Sequence, residues 1–395
     1  MVWKEQRFLL NKIMYIKTIL TLFFMTIPLS VYGNFLKLNT PAKQVILYDH
    51  EIKKILFEKN SNDFMKPASM AKIMTAYIVF DRLQEGSLTL EDKFVVSKNA
   101  WKKGGSRTFL KLNSEVTISD LLMGLIVQSG NDAAIVLAEG IAGSEEDFAL
   151  QMNQYAKSLE MKNTYFTNST GWPHEDLKTT ASDLIILTEA LINNFPMLYK
   201  LFVEKEFTFN NIRQPNRNPL LIGRYKVPGA DGLKTGHTKE SGYGLIGSVV
   251  RQKRRITLVI NGLNSMKQRG KESKRLIELA FRETYLLKIF QNKDVLSSAN
   301  VWLGNKSKIE LMAEKPFKIL VNRSSLRMIK TSITWMDPVK APVRIGQKIG
   351  TINISIPGSD PINLNLVSKD NVNGLGPIDK IKSAINYLMF GGDLN

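Results

Sequence analysis

From Pro67 to Phe80 the chain reads Pro-Ala-Ser-Met-Ala-Lys-Ile-Met-Thr-Ala-Tyr-Ile-Val-Phe, apolar on nearly every side of a helical wheel. Such a helix must run through the middle of a domain with other elements packed all round it. Pro67 stands at the start, where helices accept proline. The pattern therefore predicts a buried central helix carrying Ser69 and Lys72 one turn apart on one face. A lysine there is costly as an ion, so burial and nearby cations should lower its pKa until the neutral amine can take the Ser69 proton. The helix start also offers the Ser69 N–H to a developing oxyanion. The bland alternative, a helix cap beside a snorkelling surface lysine, needs an exposed face that Ile73 to Phe80 does not leave.

A single Ser-x-x-Lys string carries little weight, since roughly two would arise by chance in a lysine-rich chain of this size. Here two more strings follow in order: Ser129-Gly130-Asn131, 60 residues on, and Lys234-Thr235-Gly236, 105 residues further. Together they make the equipment of an acyl-transfer site. Ser129 is placed to relay a proton to the leaving group, and the Asn131 amide to hold the substrate backbone; the plain reading of both is turn formation. Lys234 adds positive charge, Thr235 can bond a carboxylate, Gly236 lets a substrate chain approach a strand edge, and His237 offers a second oxyanion N–H from its backbone.

The rest of the composition excludes other chemistries. Cysteine is absent, and histidine is limited to His50, His174 and His237, so neither a thiolate or histidine metal site nor a histidine triad can be assembled readily. No cofactor is expected. Residues 1–33 combine a basic stretch (Lys4, Arg7, Lys12, Lys17), an apolar run of about 12 residues and a small-residue site ending at Gly33, the pattern of a cleaved signal peptide. Translation starting at Met14 would give that signal a more typical length. Removing the segment leaves +15 of the formal +18 charge, which suits an anionic membrane surface or wall polymer. Export argues against nucleic acid. The densest cluster, Arg251 to Arg255, reads as a solvated hairpin tip or a contact for phosphate groups.

Along the chain, strand patterns at Val45 to Tyr48 and Lys54 to Phe57 suggest an opening hairpin. Helices are predicted at Ser119 to Val127, Ala133 to Ala142, Glu145 to Leu159 and Ser182 to Asn193, with Thr117 or Ser119 and Ser144 as caps. Strands return after Gly229. The expected class is α+β: an antiparallel sheet covered by helices over 34–289, then a small all-β domain over 294–370. A helix over 377–391 places Ile378, Ile381, Ile385, Leu388 and Met389 on one face, suited to resting on a membrane or to packing back on the β domain.

The strings in their surroundings, Pro67 to Lys72, Val127 to Ala133 and Gly232 to Thr238, resemble the D-alanyl-D-alanine carboxypeptidases among the low-molecular-mass penicillin-binding proteins. The similarity extends to Asn216-Arg217-Asn218, Lys267 to Leu276, the region of Ala341-Pro342-Val343 and the terminal helix. It implies a penicillin-binding/β-lactamase-like transpeptidase fold and a serine acyl-enzyme that removes the terminal D-Ala from peptidoglycan stem pentapeptides. β-Lactams would acylate Ser69, and Lys234, with Arg217 or Arg269, would attract the terminal carboxylate. A salt bridge inside the domain would equally explain either arginine. The resemblance also implies a peripheral place on the periplasmic face of the bacterial inner membrane. Gly171-Trp172-Pro173-His174 departs from the usual Gly-Leu segment. Two other readings share the site: a serine β-lactamase, for which Glu175 is the local candidate base, and a DD-endopeptidase.

Overall fold

Strands that are apolar on both faces need cover on both sides, and three strands in this chain are built that way. In the computed structural model, which describes residues 35–291, 294–357 and 359–390, Ile46, Ile246 and Val259 face one core, while Val45, Leu47, Leu245, Leu258 and Ile260 face another. The opening hairpin is β1 (Gln44–Asp49) and β2 (Lys54–Lys59). A single 3-10 turn, Ala68–Ala71, then leads into α1 (Lys72–Glu85). A small ribbon, β3 (Lys93–Val95) with β4 (Glu115–Thr117), encloses the short α2 (Lys98–Lys102). Four helices follow: α3 (Ile118–Met123), α4 (Asn131–Ala142), α5 (Glu145–Ser158) and α6 (Ala181–Asn194).

After the ribbon β5 (Glu206–Phe209) and β6 (Ile212–Pro215), the chain completes the main sheet with β7 (Ala230–Thr238), β8 (Gly242–Arg251) and β9 (Arg254–Leu263). All five strands run antiparallel in the order β2-β1-β9-β8-β7, so β7 is an edge. Helix α1 lies at the centre of the helical layer on one face, with Ile73, Met74, Ile78, Val79 and Phe80 fully buried. On the other face α7 (Met266–Glu283) packs through Leu276, Ile277 and Ala280.

The caps fall at Thr117, Ser144 and Thr180, each accepting an N–H three residues on. One expected helix changes character. Instead of continuing to Val127, α3 gives way after Met123 to one wide π turn, Gly124–Gln128, which ends at Ser129 in the left-handed region. A Cβ on Gly124 would lie 2.4 Å from Thr108 Oγ1, so only glycine lets the wide turn pack there.

The strand Thr284–Phe290 (β10), grouped with the first domain on sequence, pairs instead with β13 (Phe317–Asn322). The remaining strands, β11 (Val295–Trp302), β12 (Lys308–Ala313), β14 (Lys330–Trp335), β15 (Val339–Lys340), β16 (Lys348–Ser355) and β17 (Ile362–Ser368), form a six-stranded sheet. Phe290, Val321, Ile352 and Leu366 share its core. The chain continues to α8 (Pro377–Phe390). The expected signal segment, 1–33, and residue 391 lie outside the described residues.

The cluster at 251–255 is the expected hairpin tip, with Gln252 and Lys253 exposed at the turn between β8 and β9, but its arginines are engaged by carboxylates rather than held open for phosphate groups. Arg251 pairs with Glu278, Arg254 with the buried Asp49, and Arg255 with Asp231 at 2.7, 2.6 and 2.8 Å. Arg254 also donates to the Thr284 carbonyl at 2.9 Å, fastening the sheet to the strand that enters the β domain.

Phe80 contacts Phe195 and Phe202 edge to face inside this layer. Phe80→Ala should cost about 3–5 kcal/mol in urea unfolding; a loss below about 1 kcal/mol would mean that α1 is not the centre of the core.

Candidate active site

The 3-10 turn holding Ser69 is pressed against the edge strand β7. A Cβ on Gly236 would sit 2.7 Å from the Pro67 carbonyl oxygen and 3.3 Å from the Ala68 Cβ. The glycine thus has a different first task from the expected one: it admits the nucleophile's own turn, and only then a substrate. On the turn's other side Gly171, at φ 75°, comes so close that a Cβ would lie 1.8 Å from the Ala68 carbonyl oxygen. Ser69 is wedged between a strand and a loop.

Lys72 is the first residue of α1 and only 1 % exposed. Its Nζ lies 3.1 Å from Ser69 Oγ, 2.7 Å from Asn131 Oδ1 and 2.6 Å from the Thr170 carbonyl oxygen. Asn131 Nδ2 donates to the Gly104 carbonyl at 2.8 Å, which turns the amide oxygen toward the lysine. Two of the three partners can only accept. A neutral amine has two protons for them, which leaves its lone pair facing the Ser69 hydroxyl. Burial, followed by the nearby Arg217, pushes Lys72 down to about 7, and a cation at a helix N-terminus is disfavoured in the same sense. With both ends engaged, Asn131 first positions Lys72; its spare amide proton is what remains for a substrate.

Ser129 occupies φ 61°, ψ 33° at the end of the wide turn, and its buried Oγ has no partner among the described residues. Gly130 must be glycine, because a Cβ there would lie 2.2 Å from Thr108 Oγ1. Strand alternation settles the direction of the His237 amide. Thr238 N–H bonds Ser241 Oγ on the β8 side, so the N–H before it, that of His237, points to the open edge of β7.

Three further cations surround the cleft. Lys234 is 3 % exposed, and its Nζ donates to the Thr235 carbonyl at 3.5 Å. Burial, then Lys72, Arg217 and Arg269, hold its pKa well below the ordinary lysine value. Arg217 contacts Ser106 Oγ, and burial lowers its pKa. Arg269, brought down to about 10 chiefly by burial, lies over the Tyr243 ring, which stacks on His237 at 3.9 Å. None of the three makes an ion pair among the described residues, so the internal salt bridge that would have explained the arginines is not what holds them. Asn216 and Asn218 brace the Arg217 loop, the latter donating to the Gly232 carbonyl at 2.6 Å.

These groups meet in one cavity of about 1020 Å³, lined by Ser69, Ser129, Asn131, Arg217, Thr235, Gly236, His237 and Arg269, with Lys72 and Lys234 buried behind it. No carboxylate lines it among the described residues. Glu175, the base that a β-lactamase reading requires, borders a separate hollow with Lys43 and Lys66. Among the described residues no group of His, Cys, Asp and Glu could hold a metal.

Two supports went unread in the sequence. Asp132, buried, accepts the N–H groups of Thr108, Phe109, Leu110 and Ala133 and so shapes the loop bearing Ser106. The Thr170 carbonyl that orients Lys72 is a backbone group with no residue signature. Asp132 could have been suspected, since a carboxylate in a helix's first turn seeks free N–H groups.

Comparison with known proteins gives a family for each of the two domains. Residues 35–265 match the D-alanyl-D-alanine carboxypeptidase family, and residues 286–374 match the penicillin-binding protein 5 C-terminal domain. The chain is 37% identical over 341 residues to the D-alanyl-D-alanine carboxypeptidase DacC of Escherichia coli (strain K12), spanning 85% of each. It resembles penicillin-binding protein 5 from Haemophilus influenzae with a TM-score of 0.67 and 33% identity, over 86% of this chain and 99% of that one. Penicillin-binding protein D2 from Listeria monocytogenes, solved in an ampicillin-bound form, aligns over 62% of this chain and 99% of its own, with 27% identity and a TM-score of 0.57. This chain therefore belongs to the D-alanyl-D-alanine carboxypeptidase family, with a second domain of the penicillin-binding protein 5 type, and its activity is that of a serine D-Ala-D-Ala carboxypeptidase.

Proposed function

We propose that Ser69 is the nucleophile and Lys72 its base. Ser69 Oγ attacks the carbonyl of the penultimate D-Ala while its proton passes to the Lys72 lone pair. The N–H groups of Ser69 and His237 hold the oxyanion. Ser129 relays the proton to the departing amine, the terminal D-Ala leaves, and water hydrolyses the acyl-enzyme. Thr235, Lys234, Arg217 and Arg269 take the terminal carboxylate of the stem peptide; its charge would offset the unpaired cations and favour protonated Lys234. The observation that carries this reading is the Lys72 amine, with two obligatory acceptors on its protons and Ser69 on its remaining side.

The same reading extends to location. A basic, signal-like segment at 1–33, the excess positive charge, and α8 with Ile378, Ile381, Ile385 and Met389 exposed beside Lys380 and Lys382 support export and peripheral attachment to the periplasmic face of the inner membrane. No described helix is long and apolar enough to cross a membrane.

Three outcomes are expected. A short penicillin pulse followed by mass spectrometry should give one covalent adduct, on the peptide containing Ser69. Ser69→Ala should lose both the adduct and D-Ala release, and an adduct elsewhere would overturn the assignment. Because the neutral amine is the active form, acylation should rise about tenfold per pH unit below an apparent pKa near 7 and level off above it. A rate flat from pH 5 to 9 would remove Lys72 as the base. Finally, the full chain should co-sediment with phosphatidylglycerol vesicles, and Ile381→Asp with Ile385→Asp should abolish this without lowering D-Ala release; undiminished binding would refute the anchor.

A further inference from the structure

Two successive carbonyls of one loop dock on the same side of α1. The Thr170 carbonyl accepts from the Lys72 amine at 2.6 Å, and the Ser169 carbonyl accepts from the Thr75 hydroxyl, one turn further along the helix, at 2.7 Å. From its other side Ser169 is held by Glu145, the first residue of α5. Glu145 Oε1 accepts the Ser169 N–H at 3.0 Å and the Ser169 hydroxyl at 2.6 Å. Thr75, Ser169 and Thr170 are buried, so water does not compete for these bonds. With the N–H, hydroxyl and carbonyl of Ser169 all engaged, the Thr170 carbonyl that follows has one direction to take.

A carboxylate in the first turn of a helix ordinarily serves the free N–H groups and the dipole there. In α5 that role is filled by others: Ser144 Oγ accepts the Asp147 N–H at 3.0 Å, and Glu146 and Asp147 stand exposed in the same turn. Glu145 is half-buried and bonded to the loop instead. The charges that face Lys72 are Arg217 from the loop before β7, Lys103 from the end of α2, Lys234 from β7, Asp132 from α4 and Glu145 from α5. The Asp132 carboxylate is already shared among four N–H groups, and Glu145 acts on the amine more strongly. Once Ser69 has given up its proton, Lys72 is an ammonium among three cations, and Glu145 supplies the larger share of the opposing charge.

We propose that Glu145 is a positioning residue for the base. Through Ser169 it sets the Thr170 carbonyl against the Lys72 amine, and its negative charge stabilises the ammonium that forms when Ser69 is deprotonated. This inference rests on Lys72 being the base, as given under Proposed function; Glu145 itself touches no substrate.

The test is the rate constant for acylation of the full chain by benzylpenicillin from pH 5 to 9, read from the protein that becomes acylated so that an unfolded fraction drops out. Glu145→Gln keeps an acceptor for both Ser169 bonds and removes the charge. Without that charge the ammonium is less favoured, so the neutral amine persists to lower pH. The acid limb should move down by about half a pH unit, raising the rate at the acid end about threefold as a fraction of plateau, with the plateau itself within about twofold. Glu145→Ala removes the bonds as well and should lower the plateau about tenfold. Ser169→Ala, which retains the N–H bond and loses the hydroxyl bond, should fall between the two. An unmoved acid limb in Glu145→Gln would overturn the inference, and so would an unchanged plateau in Glu145→Ala or equally low plateaus in both. If Glu145→Ala does not fold, Ser169→Ala decides, and a plateau equal to that of the unaltered protein sinks the positioning role. A flat profile in the unaltered protein is a separate result, which would remove Lys72 as the base and this inference with it.

Discussion

Taking the Lys72 amine out of water is the constraint to which the rest of the structure answers. A primary amine at 1 % exposure needs partners that satisfy its protons without forming a carboxylate ion pair, which would keep it charged and useless as a base. The partners come from three separate places: the Ser69 turn, the start of α4 and the loop at Thr170. Each must arrive within about 3 Å of the same atom. The buried central helix, the wide turn before Ser129 and the glycines that allow backbones to touch all serve that convergence.

The sheet supplies the rigid reference for it. Because both faces of β8 and β9 are buried, their register is fixed, and the edge strand β7 inherits that precision through its pairing with β8. An edge strand has unpaired backbone groups by nature. Here that edge faces the nucleophile turn, so what is elsewhere a liability becomes the surface on which an extended peptide and an oxyanion can be held.

Much of this was readable in the residue order, and for physical reasons. The all-apolar run of α1, the alternating strands and the three strings each have a local signature, and the caps at Thr117 and Ser144 follow from side chains that bond nearby N–H groups. What stayed hidden depends on contacts distant in sequence. The π turn at Gly124–Gln128 packs against Thr108 through a glycine; Gly236 answers to Pro67 before any substrate; Arg251, Arg254 and Arg255 find Glu278, Asp49 and Asp231 across the fold. β10 could not be assigned to its sheet without its partner β13. The Thr170 carbonyl had no signature at all, since any residue at that position supplies a backbone carbonyl whatever its side chain.

The unpaired cations have a consequence for the resting protein. Among the described residues Lys234, Arg217 and Arg269 are gathered with no carboxylate paired to them, and burial lowers the pKa of each. Folding must assemble that repulsion before any ligand arrives, so the empty enzyme is less stable than its packing alone would allow. Selection for turnover and selection for durability therefore pull this cleft in opposite directions, and a neutral residue at one of the three positions would trade one for the other.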